Sequence, residues 1–402
     1  MRIAVLCTDL GVRVPGSKGA SLHLEAVIGA LARAGHDVLV VGVAGHDQHG
    51  GASESTSAWP PSVTLRLYPH PGRSAGLDRE LRKLAFVDHV STDAGPAVRA
   101  FAPHVVYERL SLFGNAGARL AASCGAHHVV EVNALLAEEE GRWRELHLAD
   151  LAAEREQQVL QGADLRVAVS EPTAAAVRRV APDGPTRVLA NGFDAGRFAA
   201  VRSREAARAA LGLGDGHLLG FAGSLRPWHG LDVAVDALTE LPEATLVVAG
   251  DGPVRDQLSA QARRRGVEDQ VRWLGHLPHP QIPAFLAALD VALLPYPDLP
   301  DLAFSPLKLY EYAAAGVPVV ASDIGPGAAV VRELASGVLV TPGCAPALAA
   351  GVRQVLADLP GWRQAARAAR ARALTEHSWD SRVAELLRWL TGLREAADGH
   401  AA

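Results

Sequence analysis

At 402 residues, 49% of them apolar, the chain is long enough for two domains and apolar enough to give each a buried core. Its net charge is −5, and its basic residues are scattered among acids, which excludes nucleic acid as the main partner and any strongly basic membrane-docking face. The three cysteines, Cys7, Cys124 and Cys344, are far apart with no metal-type spacing and fit small buried residues of a reducing compartment.

Met1 leads straight into a strand predicted at 3–7, with no signal-peptide pattern. No apolar run approaches the ~18–20 residues of a membrane span, so a cytoplasmic protein is expected. After the first strand a loop carries Gly11, Gly16, Lys18 and Gly19 before a helix at 20–34. A glycine-rich turn at a helix N-terminus can hold phosphate. The spacing is not G-x-G-x-x-G, however, and any βα turn can contain glycines. Further strands are predicted at 37–43, 63–68, 104–107, 128–132, 165–169 and 187–189, with helix-like segments between most of them, including 144–160. Residues 44–62 and 69–77 read as long loops. Arg79, Arg82 and Lys83 share a predicted helix and form a small basic cluster that suits a peripheral membrane contact, an anionic acceptor or a solvated helix face. Glu108, Glu131 and Glu138 are acidic residues near the predicted cleft, each an acceptor ligand or an ordinary polar residue rather than a catalytic acid.

Strand periodicity lapses at 191–214. Strands resume at 218–222, 245–249, 271–274, 291–294, 317–321 and 338–340, with helices at 231–241, 254–265, 282–289, 307–315 and 346–356. A last amphipathic helix, 380–393, follows Trp379. Alternating strand and helix predicts parallel sheets covered on both faces, here in two doubly wound domains. The expected division is 1–190 and 191–375, with 376–402 crossing back to the first domain. In such sheets ligands bind at the carboxyl ends of the strands.

Two segments of the second half carry candidate chemistry. In Gly223-Ser-Leu-Arg-Pro-Trp-His-Gly230, Arg226 can clamp a phosphate through two parallel N–H bonds and His229 can donate to one. The same residues also suit a surface arginine and a histidine packed on Trp228. In the stretch from Ser305 to Ala321, Ser305 suits an N-cap and Pro306 the first helical position. Lys308 then sits in the first helical turn, where a cation opposes the helix dipole. Only three of the 39 basic residues are lysine (Lys18, Lys83, Lys308). The position suits either an anion docked at the helix N-terminus or a surface Lys308–Glu311 pair at i,i+3.

Taken in order, these segments resemble glycosyltransferase family 4, the retaining sugar transferases of GT-B fold. The loop from Gly223 to Gly230 is similar to the family's G-R/S-x-x-x-x-K-G. Ala190-Asn-Gly-Phe-Asp194 with Arg197-Phe198 is similar to P-N-G-V-D-x-x-x-F, and Gly250-Asp-Gly-Pro253 to G-D-G-P. Trp273-Leu-Gly275 and Asp290-Val-Ala-Leu-Leu-Pro295 resemble its later strands, and Ser305 to Ala321 the second half of its Glu-x7-Glu signature. The resemblance covers most of 185–345; the first domain matches only generically.

It implies an α/β fold of two Rossmann-like parallel-sheet domains facing a cleft, with a nucleoside diphosphate sugar (UDP- or GDP-linked) as co-substrate and neither cofactor nor metal. By the same resemblance, Glu311 accepts from the ribose hydroxyls, and backbone groups at Ser305, Pro306 and Leu307 hold phosphate and sugar oxygens. Arg226, His229 and Lys308 neutralise the diphosphate, and Gly223, Ser224, Lys18 and Gly19 line the donor. Gly275, His276 and Leu277 meet the base. Ala303 replaces the family's first Glu, His229 its Lys, Ser224 its usual Arg, and Asn133 a first-domain His near the reaction centre. Asparagine can donate to a sugar hydroxyl but cannot take up a proton. The implied activity is transfer of a hexose-type sugar, with retention, to a small-molecule or glycan acceptor, as in natural-product or glycan biosynthesis. Rival readings are a GT-B nucleotide-sugar epimerase, an inactive nucleotide-sugar-binding subunit, and an NAD(P) oxidoreductase, the last opposed by the missing G-x-G-x-x-G. Oligomeric state leaves no signature in the sequence.

Overall fold

A computed structural model describes residues 1–16, 18–45, 59–143, 145–199, 202–298 and 307–400. The chain divides into two compact units, one made of Met1–Asn191 with Trp379–Ala402 and the other of Gly192–Ser378.

The first unit is built on parallel strands β1 (Arg2–Leu6), β2 (Arg13–Val14), β3 (Asp37–Ala44), β4 (Val63–Tyr68), β5 (Val105–Arg109), β6 (His127–Val132), β7 (Leu165–Ala168) and β8 (Thr186–Val188). They hydrogen-bond in the order β2-β3-β1-β5-β6-β7-β8, with β4 also paired to β3. The sequence produces this sheet because its strands are apolar at consecutive positions, as strands covered on both faces must be. In β3, Val38 and Val40 join Ile3 and Val5 against the helices Gly19–Arg33 and Trp379–His400. Leu39, Val41 and Val43 join Leu6 on the opposite face, against Phe86, Val87 and Val90 of the helix Gly76–Asp93.

The second unit has β9 (His217–Ala222), β10 (Ala244–Ala249), β11 (Val271–Gly275), β12 (Val291–Leu294), β13 (Val319–Ser322) and β14 (Gly337–Val340), all parallel, in the order β11-β10-β9-β12-β13-β14. Leu218, Val247, Ala292 and Val319 face one layer of helices, and Leu219, Leu246, Val291 and Val320 face the other. The strand order reverses between β9 and β12, which is where doubly wound sheets open a crevice for ligands.

The helix Leu307–Ala315 ends as its sequence predicts. Gly316 takes φ +71°, its N–H returns to Ala313 O (2.9 Å), and the Val317 N–H returns to Tyr312 O (3.2 Å). The strand follows two residues later than the apolar run suggested, because Val317 is used in this cap. The helix expected at 144–160 is corrected: helices span Leu136–Trp143 and Ala149–Gly162. The fully buried Glu80 accepts from the N–H groups of His147 (3.0 Å) and Leu148 (2.8 Å), and so fixes a non-helical entry to the second helix. Strand β2 and the helices Gly325–Leu334 and Leu359–Glu376 were not expected from the sequence.

Candidate functional site

The carboxyl ends of β9, β10 and β11 are tied together by glycines. The Gly223 N–H donates to Ala249 O (2.9 Å) and the Gly250 N–H to Gly275 O (2.7 Å). Gly223 and Gly250 take φ of +141° and +150°, which L side chains rarely adopt. A Cβ on Gly250 would stand 1.9 Å from Gly223 O, and one on Gly223 would stand 2.6 Å from Lys308 Cε. The bare backbone at Gly223 thus lets the Lys308 side chain cross the end of β9.

Lys308 Nζ lies 3.4 Å from His229 Nε2 and 5.5 Å from the Phe221 ring centroid. His229 Nδ1 donates to the Ser224 carbonyl (2.6 Å), so its Nε2 carries the lone pair that faces the ammonium. The imidazole is buried, at 5.3 Å from Phe221 and 6.1 Å from Tyr296, with Trp228 at 6.2 Å. Burial first, then the charges of Lys308 and Arg226, push its pKa down to about 4 against the Ser224 bond. His229 is therefore neutral at pH 7 with its one N–H committed to backbone. This corrects the expectation that it donates to phosphate: its geometry suits holding Lys308. Burial lowers Lys308 to about 8, opposed by Glu311. The surface Lys308–Glu311 pair does not form among the described residues; the ammonium points at His229 instead.

One helical turn on, Glu311 is pushed by burial up to about 7, against the charges of Lys308 and Arg197. Its Oε1 is 3.6 Å from His279 Nε2. Arg197 Nη1 meets His279 Nδ1, and Arg197 Nε is held by Asp194 Oδ2 at 3.0 Å. Nothing in the sequence singled out His279; only its place four residues after β11, in the loop of Gly275, His276 and Leu277, hinted at it. Gly275 takes φ +69°, His276 is exposed, and Leu277 packs on the core. Arg226 and Ser224 are exposed, the Arg226 guanidinium lying 5.6 Å from the Trp228 ring with no carboxylate partner among the described residues. Leu307 opens the helix. Ala303, Ser305 and Pro306 lie outside the described residues.

In the first unit, Glu131 is a buried hub. Its Oε2 accepts from His23 Nε2 (2.9 Å) and Tyr107 Oη (2.7 Å), and its Oε1 from Arg109 Nη1 (2.7 Å) and Asn133 Nδ2 (2.6 Å). Burial favours protonation, yet His23, Arg109 and Tyr107 hold the carboxyl well below its usual range. All four lone-pair directions are filled, so Glu131 organises the site and has no capacity for an acceptor hydroxyl. Glu108 is likewise committed, to His128 Nε2 (2.9 Å) and the Gly117 N–H (3.1 Å). Glu138 is exposed and pairs with Arg142 at 3.1 Å. Asn133, expected at the reaction centre, is fixed by Glu131, and Arg109, which sequence reasoning missed, ends β5 beside it. Lys18 precedes the first helix without capping it, and Gly19 has open space around it. The loop before them is closed on its own helix by Gly16 N–H to Glu25 Oε1 (2.7 Å) and Arg13 N–H to Ser21 Oγ (3.0 Å).

Arg79, Arg82 and Lys83 all have carboxylate partners, Glu140 (3.1 Å), Asp78 (3.0 Å) and Glu140 (3.9 Å), which neutralises that cluster. No helix among the described residues is long and apolar enough to cross a membrane. Glu333, Glu376 and His377 bring potential ligand atoms within 4.8 Å of one another, and Arg372 already pairs with both carboxylates, at 3.6 and 3.0 Å.

Two doubly wound parallel-sheet units in one chain make the GT-B architecture of glycosyltransferases. Comparison with known proteins places the chain within that class. The model for "Glycosyl transferases group 1" matches residues 203–372, and that for "Glycosyl transferase 4-like domain" matches 18–192. The glycogen synthase of Mycobacterium tuberculosis is 30% identical over 95% of this chain and 92% of its own length. The 2-deoxystreptamine glucosyltransferase of Streptomyces kanamyceticus is 35% identical over 36% of this chain and 37% of its own. Among solved structures, sucrose-phosphate synthase from Thermosynechococcus elongatus matches with a TM-score of 0.78 at 20% identity, covering 98% of this chain and 100% of that one. Anabaena HepE in complex with UDP matches at 0.73 and 22%, with the same coverage. The chain belongs to glycosyltransferase family 4 and is a glycosyltransferase.

Proposed function

We propose that this enzyme moves a hexose-type sugar from a UDP- or GDP-sugar to a hydroxyl of a small-molecule or glycan acceptor, with retention and without a metal. The observation that carries this reading is the convergence of Lys308, steadied by neutral His229, on the glycine-lined end of β9, with Glu311 one turn further along the same helix. A cation there stabilises the charge that grows on a departing nucleoside diphosphate, and the exposed Arg226 supplies a second. Glu311 as a carboxylate accepts from the ribose hydroxyls. The leaving phosphate takes the acceptor proton, so no side-chain base is required, in keeping with an Asn rather than a His at position 133. Acceptor contacts fall to the first unit, where Arg109 and Asn133 end β5 and follow β6. HepE structures hold UDP and UDP-glucose, which supports uridine as the first base to test.

The test is calorimetric titration of the full chain with UDP, GDP, ADP, dTDP and NAD, without metal, followed by NMR assignment of the anomeric configuration of the product. Micromolar binding of one nucleoside diphosphate and a product with the donor's configuration is the expected result. Binding of NAD alone, or an inverted product, would overturn it.

A further inference from the structure

Glu311 Oε1 and His279 Nε2 stand 3.6 Å apart. That is too long for a hydrogen bond between them and short enough for one ligand atom to touch both. The groups around this notch come from three separate elements: Glu311 and Lys308 from the helix Leu307–Ala315, His279 from the turn His279–Gln281 after β11, and Arg197 with Asp194 from the segment entering the second unit.

Their chemistry fixes what the notch can read. A guanidinium only donates, so Arg197 Nη1 against His279 Nδ1 means that Nδ1 offers its lone pair. The neutral ring then carries its proton on Nε2, the atom that faces Glu311. Asp194 holds Arg197 from the other side. The result is a hydrogen-bond acceptor, the Glu311 carboxylate, beside a donor, His279 Nε2–H. A ligand ammonium or amide N–H would satisfy Glu311 and face His279 with another donor. A ligand carbonyl would satisfy His279 and repel the carboxylate. A hydroxyl does both at once.

We infer that His279 and Glu311 together form a hydroxyl-reading notch for the nucleotide's ribose, in which one hydroxyl donates to Glu311 Oε1 and accepts from His279 Nε2–H. The inference rests on the donor reading above and names the residue that gives that site its preference for ribonucleotides. Glu311 alone can hold either hydroxyl of the diol; with His279 beside it, one hydroxyl gains a second bond and a defined orientation. Arg197 and Asp194 are positioning residues that set the histidine tautomer.

The experiment is calorimetric titration of the full chain and of His279→Ala and His279→Gln, at pH 7.5, with UDP, 2′-deoxy-UDP and 3′-deoxy-UDP, or the guanosine series if GDP is the tighter ligand. The wild type should prefer the ribonucleotide over at least one deoxy analogue by roughly tenfold or more. His279→Ala should weaken ribonucleotide binding roughly three- to tenfold, the range for one hydrogen bond, and leave that deoxy analogue unaffected. His279→Gln, which retains an N–H donor, should recover part of the preference. Equal weakening of all three nucleotides by His279→Ala, no weakening, or a wild type indifferent to both hydroxyls would overturn the notch while leaving the donor reading standing. A wild type that binds neither UDP nor GDP would overturn the donor reading, and the notch with it.

Discussion

Nucleoside diphosphate affinity should peak between about pH 7 and 8 and fall on both sides, for two different reasons. On the acid side the titrating group is Glu311, raised by burial to about 7. As a carboxylate it accepts with both oxygens, whereas the protonated acid turns one oxygen into a donor and accepts more weakly at the other. Its ionised fraction falls from about 0.9 at pH 8 to about 0.1 at pH 6, so UDP should bind roughly tenfold more weakly at pH 6. On the alkaline side the group is Lys308, lowered by burial to about 8. Its cationic fraction falls from about 0.9 at pH 7 to about 0.1 at pH 9, for another roughly tenfold loss. Binding should release up to about one proton near pH 6, as Glu311 ionises, and take up about one near pH 9, as Lys308 becomes charged. Calorimetry in pairs of buffers with different ionisation heats measures both. The nucleotide's own phosphate titrates near the acid limb, so variants decide the matter: Glu311→Gln should flatten the acid limb and Lys308→Met the alkaline one. If both limbs persist unchanged in the two variants, the assignment of these groups to the nucleotide is wrong.

Four further outcomes follow from the same geometry. Glu311→Gln should raise the thermal midpoint at pH 8 but not at pH 4. A carboxyl whose folded pKa lies near 7 is penalised once ionised, so wild-type stability is lost as pH rises from about 4.5 through about 7, and the amide does not titrate. Gly250→Ala should destabilise the protein by about 2–4 kcal/mol in urea unfolding and abolish UDP binding, since its Cβ meets Gly223 O and its φ is unsuited to alanine. Arg226→Ala should lower turnover by roughly tenfold or more while changing UDP affinity far less, because its charge is wanted most as the diphosphate departs. Glu131→Gln turns an amide toward a set of donors and should cost about 3–5 kcal/mol of stability, with UDP affinity of the folded protein unchanged. A stable Glu131→Gln protein with impaired acceptor affinity would instead restore Glu131 as an acceptor ligand.

The two-sheet architecture was legible because its strands are unbroken apolar runs bounded by glycine and proline, a pattern that buried parallel strands impose. Gly223, Gly250 and Gly275 stood out for the same local reason, since turns that need positive φ leave their mark in single residues. The roles of polar side chains were less legible. Glu108 and Glu131 look like cleft carboxylates in the sequence, yet their partners come from residues up to 108 positions away, and only the fold reveals that all four lone pairs of Glu131 are filled and that Glu108 is buried against His128 and Gly117. His229 illustrates the same limit at short range. Its spacing to Arg226 suggested a phosphate ligand, but which nitrogen carries the proton depends on a backbone carbonyl five residues earlier and a lysine 79 residues later. His279 and Arg197, 82 residues apart, are joined only by the folded chain.

The last helix has a consequence for how this chain is made. Trp379, Val383, Leu386 and Leu390 complete the core of the first unit, although the whole second unit is synthesised before them. The middle unit, Gly192–Ser378, holds all of its own strands and can close while still tethered to the ribosome. The first unit must wait for the helix Trp379–His400, which follows the second unit, before its sheet is covered. A chain stalled before this helix therefore carries a finished second unit and an exposed apolar face on the first, the kind of surface that chaperones hold and proteases find.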